Sequence, residues 1–511
     1  MADAVVIGGG HNGLTAALLL ARQGYTVELF EATDHVGGAC VTKRIVCGCR
    51  VNEAANAFGM VPAHILNVLG LLNFGDDVVV PDPQIVVLGE PGNCVALYTS
   101  PERTVERLPH HLAGEGLAFS AFVKDLDLAA TALKPFLLDP QALVSNVFQA
   151  MEDCKPGLGD RFLTGNLRAT LDYYFRTDFM KAACVASAPL FPSLTSEEGT
   201  SFALTYAAQS CNRGISGWGV VKGGIGRFAE SLAIGLKEAG CMINLNSPVK
   251  RIRVHDGAVA GVEVGSRFVQ SRVVVAAINP VTALSHLFQP SDLEPELLDA
   301  IQLRRTQGGC AKLNVLLDGP MDRWLAIWPA LQNQHHALFV YCPSLNFLDH
   351  AYNDFTSGLP SSQLYLEIAF QGDPGHGMTC GEHTPISVFV LYVPHPETRS
   401  RSISRVAIEQ TIRTQMESLF PSFNDHVSWS SLLLPEDIEG NYGMLLGNVD
   451  HGSMSSDNLF EKRPVSRDLW RSKKPKGLVL GSAGRYPGGL VTAVPGYLAH
   501  IEAVQELNGN S

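Results

Sequence analysis

Ala4-Val5-Val6-Ile7-Gly8-Gly9-Gly10-His11-Asn12-Gly13-Leu14 is the stretch on which the fold turns. Ala4 to Ile7 read as a short buried strand and Leu14 to Gln23 as a helix, with Gly8, Gly10 and Gly13 between them in GxGxxG spacing. In such a turn the first glycine permits the sharp reversal, the second lets the backbone approach a pyrophosphate, and the third lets helix and strand pack closely. The start of the helix then offers free N–H groups and the positive end of its dipole to negative charge. Gly24 ends the helix, Thr26 to Phe30 form a second strand, and Glu31 at its end is placed to accept from ribose hydroxyls. All of this falls within about 30 residues, one βαβ unit, which predicts dinucleotide binding rather than an empty turn. His11 and Asn12 lie inside the turn, where they shape the loop and where Asn12 is a candidate cofactor contact.

The 511 residues around this turn are 46% hydrophobic and 17% charged, more than a single core usually carries. At least two domains about a common interior are expected. No apolar run reaches the roughly 18 residues of a spanning helix. Lys and Arg number 38 against 50 Asp and Glu, a net charge of −12 with no dense basic block. That balance argues against nucleic acid as a partner and against strong anchoring on anionic lipid, and leaves weak peripheral membrane contact open. Eleven cysteines lack the density and spacing of a secreted disulfide scaffold, and no leader precedes the first strand. A reduced, cytoplasmic protein is expected.

Further along, Ala32-Thr33-Asp34-His35-Val36-Gly37-Gly38-Ala39 sets a glycine pair after the acid. Acid plus glycine pair resembles the extended fingerprint of FAD-containing oxidoreductases of the amine oxidase and phytoene desaturase type. Ala39 stands where many amine oxidases carry Arg, and fits the phytoene dehydrogenase-like branch. Two later segments resemble the same family. Gly223-Gly224-Ile225-Gly226-Arg227-Phe228 opens a helical pattern to Ala239, Met242 to Leu245 reads as a strand, and Val249 to Ile252, Val259 to Val264 and Val273 to Ala277 follow as strands. Near the end, Gly477 to Gly481 reads as strand into turn, followed by Pro487-Gly488-Gly489-Leu490-Val491 and a helical stretch from Gly496 to Leu507. Gly440-Asn441-Tyr442-Gly443, Asp457-Asn458-Leu459-Phe460 and Arg463-Pro464 resemble the phytoene dehydrogenase-like subgroup.

The resemblance implies an α/β fold: a discontinuous Rossmann-like FAD-binding domain of the GR2 type, from 1–75, 215–290 and 441–511, with an α+β substrate domain from 76–214 and 291–440. It implies FAD held by Gly8, Gly10, Asn12, Gly13, Glu31, Gly37, Gly38, Ala39, Gly481, Gly489, Leu490 and Val491, with Val249 meeting the adenine through its backbone. In the substrate domain, helical patterns run through Leu126 to Leu137, Pro140 to Met151 and Arg168 to Ala186. Strand patterns run through Ala311 to Leu317, Leu338 to Tyr341, Gln363 to Ala369 and Ile386 to Val393.

Flavin accepts a hydride at N5, so the protein needs to hold a substrate carbon there and exclude water. Lys312, a cation inside the apolar run Cys310 to Val315, is the candidate catalytic residue: a Lys on this strand in amine oxidases sits by flavin N5 through a water. The competing reading is a strand-edge Lys reaching solvent. Trp218, within Gly217-Trp218-Gly219, is a candidate chamber wall or plain core, as are Tyr442 and Tyr486. Cys40, Cys47 and Cys49 lack the CxxC or CxxxxC spacing of a flavin disulfide reductase, no second GxGxxG supports an NADPH domain, and no metal site is expected. The reaction so implied is dehydrogenation of a largely apolar small molecule, with oxygen or a quinone as electron acceptor. Oxidation at a C–N bond, saturation or isomerisation of a polyene, and a non-catalytic binding protein of the GDP dissociation inhibitor type are the alternatives.

Overall fold

A computed structural model of the chain describes residues 2–509 except 91, 187–192, 210–217, 304–308, 327, 329–333, 335, 372–376, 380, 401–402 and 454–457. Gly217, Asp457 and the expected boundary between 214 and 215 lie outside the described residues.

The apolar first strand, Ala2–Ile7, is central to a seven-stranded sheet. It pairs in parallel with Val27–Phe30 on one side and with Arg267–Ala276 on the other. Met242–Asn244 continues the sheet beyond Val27–Phe30, and Leu478–Leu480 pairs in parallel with Val274 to Ala276. Val249–His255 and Ala258–Val264 form an antiparallel ribbon that joins the start of Arg267–Ala276. Near-continuous apolar strands belong to a sheet covered on both faces. Ala4 and Val6 pack with Leu14, Leu232 and Leu498 from helices His11–Arg22, Gly226–Glu238 and Val494–Leu507, while Val5 and Ile7 pack with Leu284 and Leu297 from Pro280–His286 and Pro295–Gln302.

A second seven-stranded sheet runs in the order Val427–Leu433, Cys310–Asp318, His383–Leu391, Leu366–Phe370, Leu338–Tyr341, Ile85–Leu88, Cys94–Leu97. All its pairs are antiparallel except Leu338–Tyr341 with Ile85–Leu88. One face, with Leu313, Val315 and Ile368, packs on Ile412 and Met416 of helix Arg405–Leu419. The opposite face turns toward the first sheet, and the segment around Asn52 to Asn56 is wedged against it.

Three sequence expectations change here. Arg168 to Ala186 is two helices, Leu167–Tyr174 and Asp178–Val185. The break is made by a residue far away in sequence: Glu115 Oε1 accepts from Arg176 N at 3.1 Å, Thr177 N at 2.7 Å and the Thr177 hydroxyl at 2.6 Å. The helix expected from Leu126 starts earlier, at Gly116, and ends at Leu133. Residues 76–214, where helical patterns are expected from Leu126 onward, also supply the two strands Ile85–Leu88 and Cys94–Leu97 ahead of them. Among the described residues no helix is long and apolar enough to cross a membrane.

Candidate active site

The glycine turn is shaped by what it lacks. Gly8 has φ +101°, and a Cβ at Gly13 would lie 2.0 Å from the Gly8 carbonyl oxygen, so helix and turn meet only because that carbon is missing. Gly37 N donates to Gly9 O at 2.8 Å, and a Cβ on Gly38 would stand 3.2 Å from Gly10 Cα. A Cβ on Gly10 would meet nothing closer than 3.9 Å. Two glycine backbones thus face each other across a cradle with open space at Gly10, which fits a pyrophosphate.

Glu31 stands at the end of Val27–Phe30. Its Oε2 accepts from Gly9 N at 2.6 Å, and its Oε1 from the N–H and hydroxyl of Thr33, both at 2.9 Å. The carboxylate therefore pins the turn, and its two oxygens retain further acceptor capacity. Ser247 N donates to Glu31 O and Asn246 N to Thr33 O, both at 2.8 Å, which brings the start of Val249–His255 alongside. Asn12 is buried, and its Oδ1 accepts from Gly496 N at 3.4 Å. A Cβ at Gly496 would lie 2.1 Å from Asn12 O, so the last helix seats on the first turn of His11–Arg22. Gly481 is close packed as well: a Cβ there would come within 2.8 Å of Val275 Cγ1.

Beyond the turn lies a cavity of about 200 Å³ between the two sheets. Its floor is a row of paired residues running across four strands: Leu433, Lys312, Phe389 and Glu367 are successive cross-strand partners, and all four line the cavity. Its walls are His11 and Ala39 from the glycine turns, Ala54 to Ala57 from the wedged segment, and Asp450, His451, Leu490 and Val491 from the C-terminal stretch.

Lys312 is 1% exposed on an interior strand, which excludes the strand-edge reading. Its ammonium donates to Asn52 O at 2.9 Å, to Asn56 Oδ1 at 2.6 Å and to Ala54 O. Three neutral acceptors hold it, and burial pulls its pKa from 10.5 down to about 7, partly opposed by the carboxylates of Glu53 and Glu367. Burial raises Glu367 from 4.5 to about 7, although Tyr365 donates to its Oε1 at 3.3 Å. Asp450 is 2% exposed, its Oδ2 has no hydrogen-bond partner, and burial lifts it from 3.8 to about 6 against the pull of Arg463. Burial lowers both His11 and His451 to about 4, so each is neutral at neutral pH, and His11 Nε2 is buried without a partner.

Sequence reasoning missed Glu367, Asp450 and His451 as chamber residues. Leu490, standing where a glycine is usual in the resembled family, has φ +68°, the backbone region a glycine enters freely. Trp218 lines the cavity. Tyr486 does not; its hydroxyl donates to Phe136 O at 2.8 Å on the far side. Tyr442 does not line it either, and its phenol is pushed well up by burial and by Glu53. No disulfide joins the described cysteines, and the buried Cys40 thiol beside His11 is raised to about 12, which leaves it inert.

Residues 13–436 match the family model of flavin containing amine oxidoreductases. The chain belongs to that family. It is an FAD-dependent oxidoreductase, which sets aside a non-catalytic binding protein. Pyridine nucleotide-disulfide oxidoreductase domain-containing protein 2 of Rattus norvegicus is 28% identical to this flavin oxidoreductase over 98% of the chain and 93% of the relative. A limonene dehydrogenase polypeptide of Castellaniella defragrans is 26% identical over 57% of the chain and 54% of its own length. Among solved structures, cyclohexylamine oxidase from Brevibacterium oxydans IH-35A superposes with a TM-score of 0.63, covering 99% of both chains at 15% identity. That last likeness carries the fold alone.

Proposed function

We propose that this flavin oxidoreductase dehydrogenates a largely apolar small molecule, removing hydride and proton from adjacent carbons to form a double bond. The observation that carries the reading is the chamber, where Leu433 and Phe389 alternate with Lys312 and Glu367 on the floor and the walls are mostly alanine, leucine and valine, with His11, Asn56, Asp450 and His451 among them. Such a surface desolvates a hydrocarbon cheaply and leaves few groups to orient it. The relative named as a limonene dehydrogenase, a name that points to a hydrocarbon substrate, supports the same reading.

Bound FAD supplies the hydride acceptor. Gly8, Gly10, Gly13, Gly37 and Gly38 hold its pyrophosphate region, Glu31 its ribose and Val249 its adenine. Ala39, Gly481, Gly489, Leu490 and Val491 border its flavin half. These residues belong to a cofactor domain of 1–75, 215–290 and 441–511, set against a substrate domain of 76–214 and 291–440. Lys312 is the fixed charge of the chamber, ordered by Asn52, Ala54 and Asn56. Asp450 takes the substrate proton, because its unpartnered oxygen and pKa of about 6 suit a base at neutral pH. Electrons leave to oxygen or a quinone; a quinone route brings weak peripheral contact with a membrane.

A second reading, oxidation at a C–N bond, is favoured by the same carboxyl groups, since Glu367 and Asp450 offer negative charge to a cationic amine. The two readings separate in one experiment. FAD-loaded protein is mixed anaerobically with panels of unsaturated hydrocarbons and of primary amines, and the oxidised flavin band is followed. Bleaching by hydrocarbons alone supports dehydrogenation. Bleaching by amines alone overturns it.

A further inference from the structure

A second cavity, about 540 Å³, opens on the far side of the C-terminal stretch and shares no lining residue with the chamber. Six cations line it: Arg463, Arg467, Arg471, Lys474, Lys476 and Arg485. Only three acids face them, and each is already engaged. Glu461 accepts from Val144 N at 3.0 Å, Glu502 from Arg485 at 3.1 Å and lies 3.4 Å from Lys474, and Glu506 accepts from Lys474 and from Gly477 N. Lys474 and Arg485 are therefore compensated.

Arg467, Arg471 and Lys476 are not, and Arg463 is only partly so, through the buried carboxylate of Asp450. Arg463 is 5% exposed; among the described residues its guanidinium donates to carbonyls, Ser453 O at 2.9 Å, Ala483 O at 3.1 Å and Asp450 O, and its Nε is buried without a partner. Arg467 has both Nε and Nη1 buried and unpartnered. Arg471 and Lys476 stand at the rim with no acidic partner among the described residues. A buried guanidinium N–H without an acceptor is costly, and its fork geometry matches phosphate. On a chain of net charge −12, three uncompensated cations around one cleft make a local field opposite to that of the whole.

The remaining walls are apolar and aromatic, with Phe460, Trp470, Tyr486 and Ile501. Charge at one part and flat apolar surface at another call for a ligand with both. A volume of this order holds a molecule of nucleotide size. We propose that this cleft is a second ligand site, taking a small phosphorylated molecule with an aromatic body, such as a nucleoside diphosphate. Arg463 forms its inner wall, and through Asp450 O and Ala483 O it touches two residues that line the chamber.

The test is calorimetric titration of the FAD-loaded protein with ADP and, separately, with inorganic pyrophosphate, while flavin absorbance reports whether cofactor stays bound. The expected result is one ADP per chain with flavin retained, and at least tenfold weaker binding in Arg467→Ala and in Arg471→Ala at unchanged flavin content. Pyrophosphate is expected to bind more weakly than ADP. Absence of ADP binding, release of flavin in step with it, or equal weakening by Arg44→Ala at a distant exposed position overturns the site. Pyrophosphate binding as tight as ADP overturns the aromatic body.

Discussion

Gly13 and Lys312 both stand against backbone carbonyls, and for opposite reasons. At Gly13 an added Cβ would lie 2.0 Å from Gly8 O, so the site exists because a side chain is absent. At Lys312 a long side chain reaches three acceptors on a neighbouring segment and is sealed there at 1% exposure. The contrast runs through the molecule. The first sheet borders the proposed cofactor cradle with backbone, through glycine turns and helix starts, where nearly any change adds atoms that have nowhere to go. The second sheet borders the cavity with a few ionisable side chains in an apolar row, where a change alters charge but leaves the backbone standing.

The sharpest way to break this comparison is to disturb the backbone side. Gly13→Val is expected to abolish flavin retention, because the new side chain must displace Gly8 O or the helix; the ratio of flavin absorbance to protein after purification measures it. Flavin bound at near-wild-type level would show that the turn yields. Next in size is Lys312→Met, which leaves Asn52 O, Ala54 O and Asn56 Oδ1 without their donor at a cost of about 1–3 kcal/mol. This variant is expected to keep its flavin and to reduce it at least tenfold more slowly in anaerobic stopped flow. Loss of flavin would mean that the two sides are not separable.

The pH dependence comes third. Glu367 has its pKa raised from 4.5 to about 7, so its folded form binds the proton more tightly than its unfolded form. Its stabilising contribution is full below 4.5 and is lost as pH rises through about 7. Lys312, lowered from 10.5 to about 7, works in the other direction: its contribution is full above 10.5 and lost as pH falls through about 7. Comparing the melting temperature of Glu367→Gln with wild type from pH 4.5 to just above 7 isolates the first group. Wild type is expected to lose stability relative to the variant as pH rises, by no more than about 3 kcal/mol. Parallel curves would show that water reaches the carboxyl.

Leu490→Gly has the smallest expected effect, a stability change under about 1 kcal/mol. Relief of the left-handed backbone at φ +68° offsets the lost side-chain contact. Flavin content should be unchanged, because the backbone at this position is kept, and bulkier substrates admitted; a loss of flavin would show that the leucine side chain itself holds the cofactor.

These two halves also differ in how much of them a reader of the sequence can see. The turn at Gly8, Gly10 and Gly13, its close approach by Gly37 and Gly38, and Glu31 at a strand end are legible as geometry because their constraints are local and write themselves within one βαβ unit. Glu367 was not. It alternates with buried Leu366 and Ile368, the pattern of a strand with one wet face, and its own face is covered only because another sheet lies across the chamber. Asp450 and His451 sit in an irregular stretch with no periodicity to read. The break between Leu167–Tyr174 and Asp178–Val185 depends on Glu115, and no window around Phe175 contains it.

Leu478–Leu480 completes the sheet that Ala2–Ile7 begins, and Gly496 lies on the turn that holds Asn12. During synthesis, the first strand must leave the ribosome long before the strand that finishes its sheet exists. Contacts of such separation form late and slowly. The face carrying Ala4 and Val6 therefore waits for the helix Val494–Leu507 before it is fully covered, so the last turn of the chain to be made closes the core that the first strand opens.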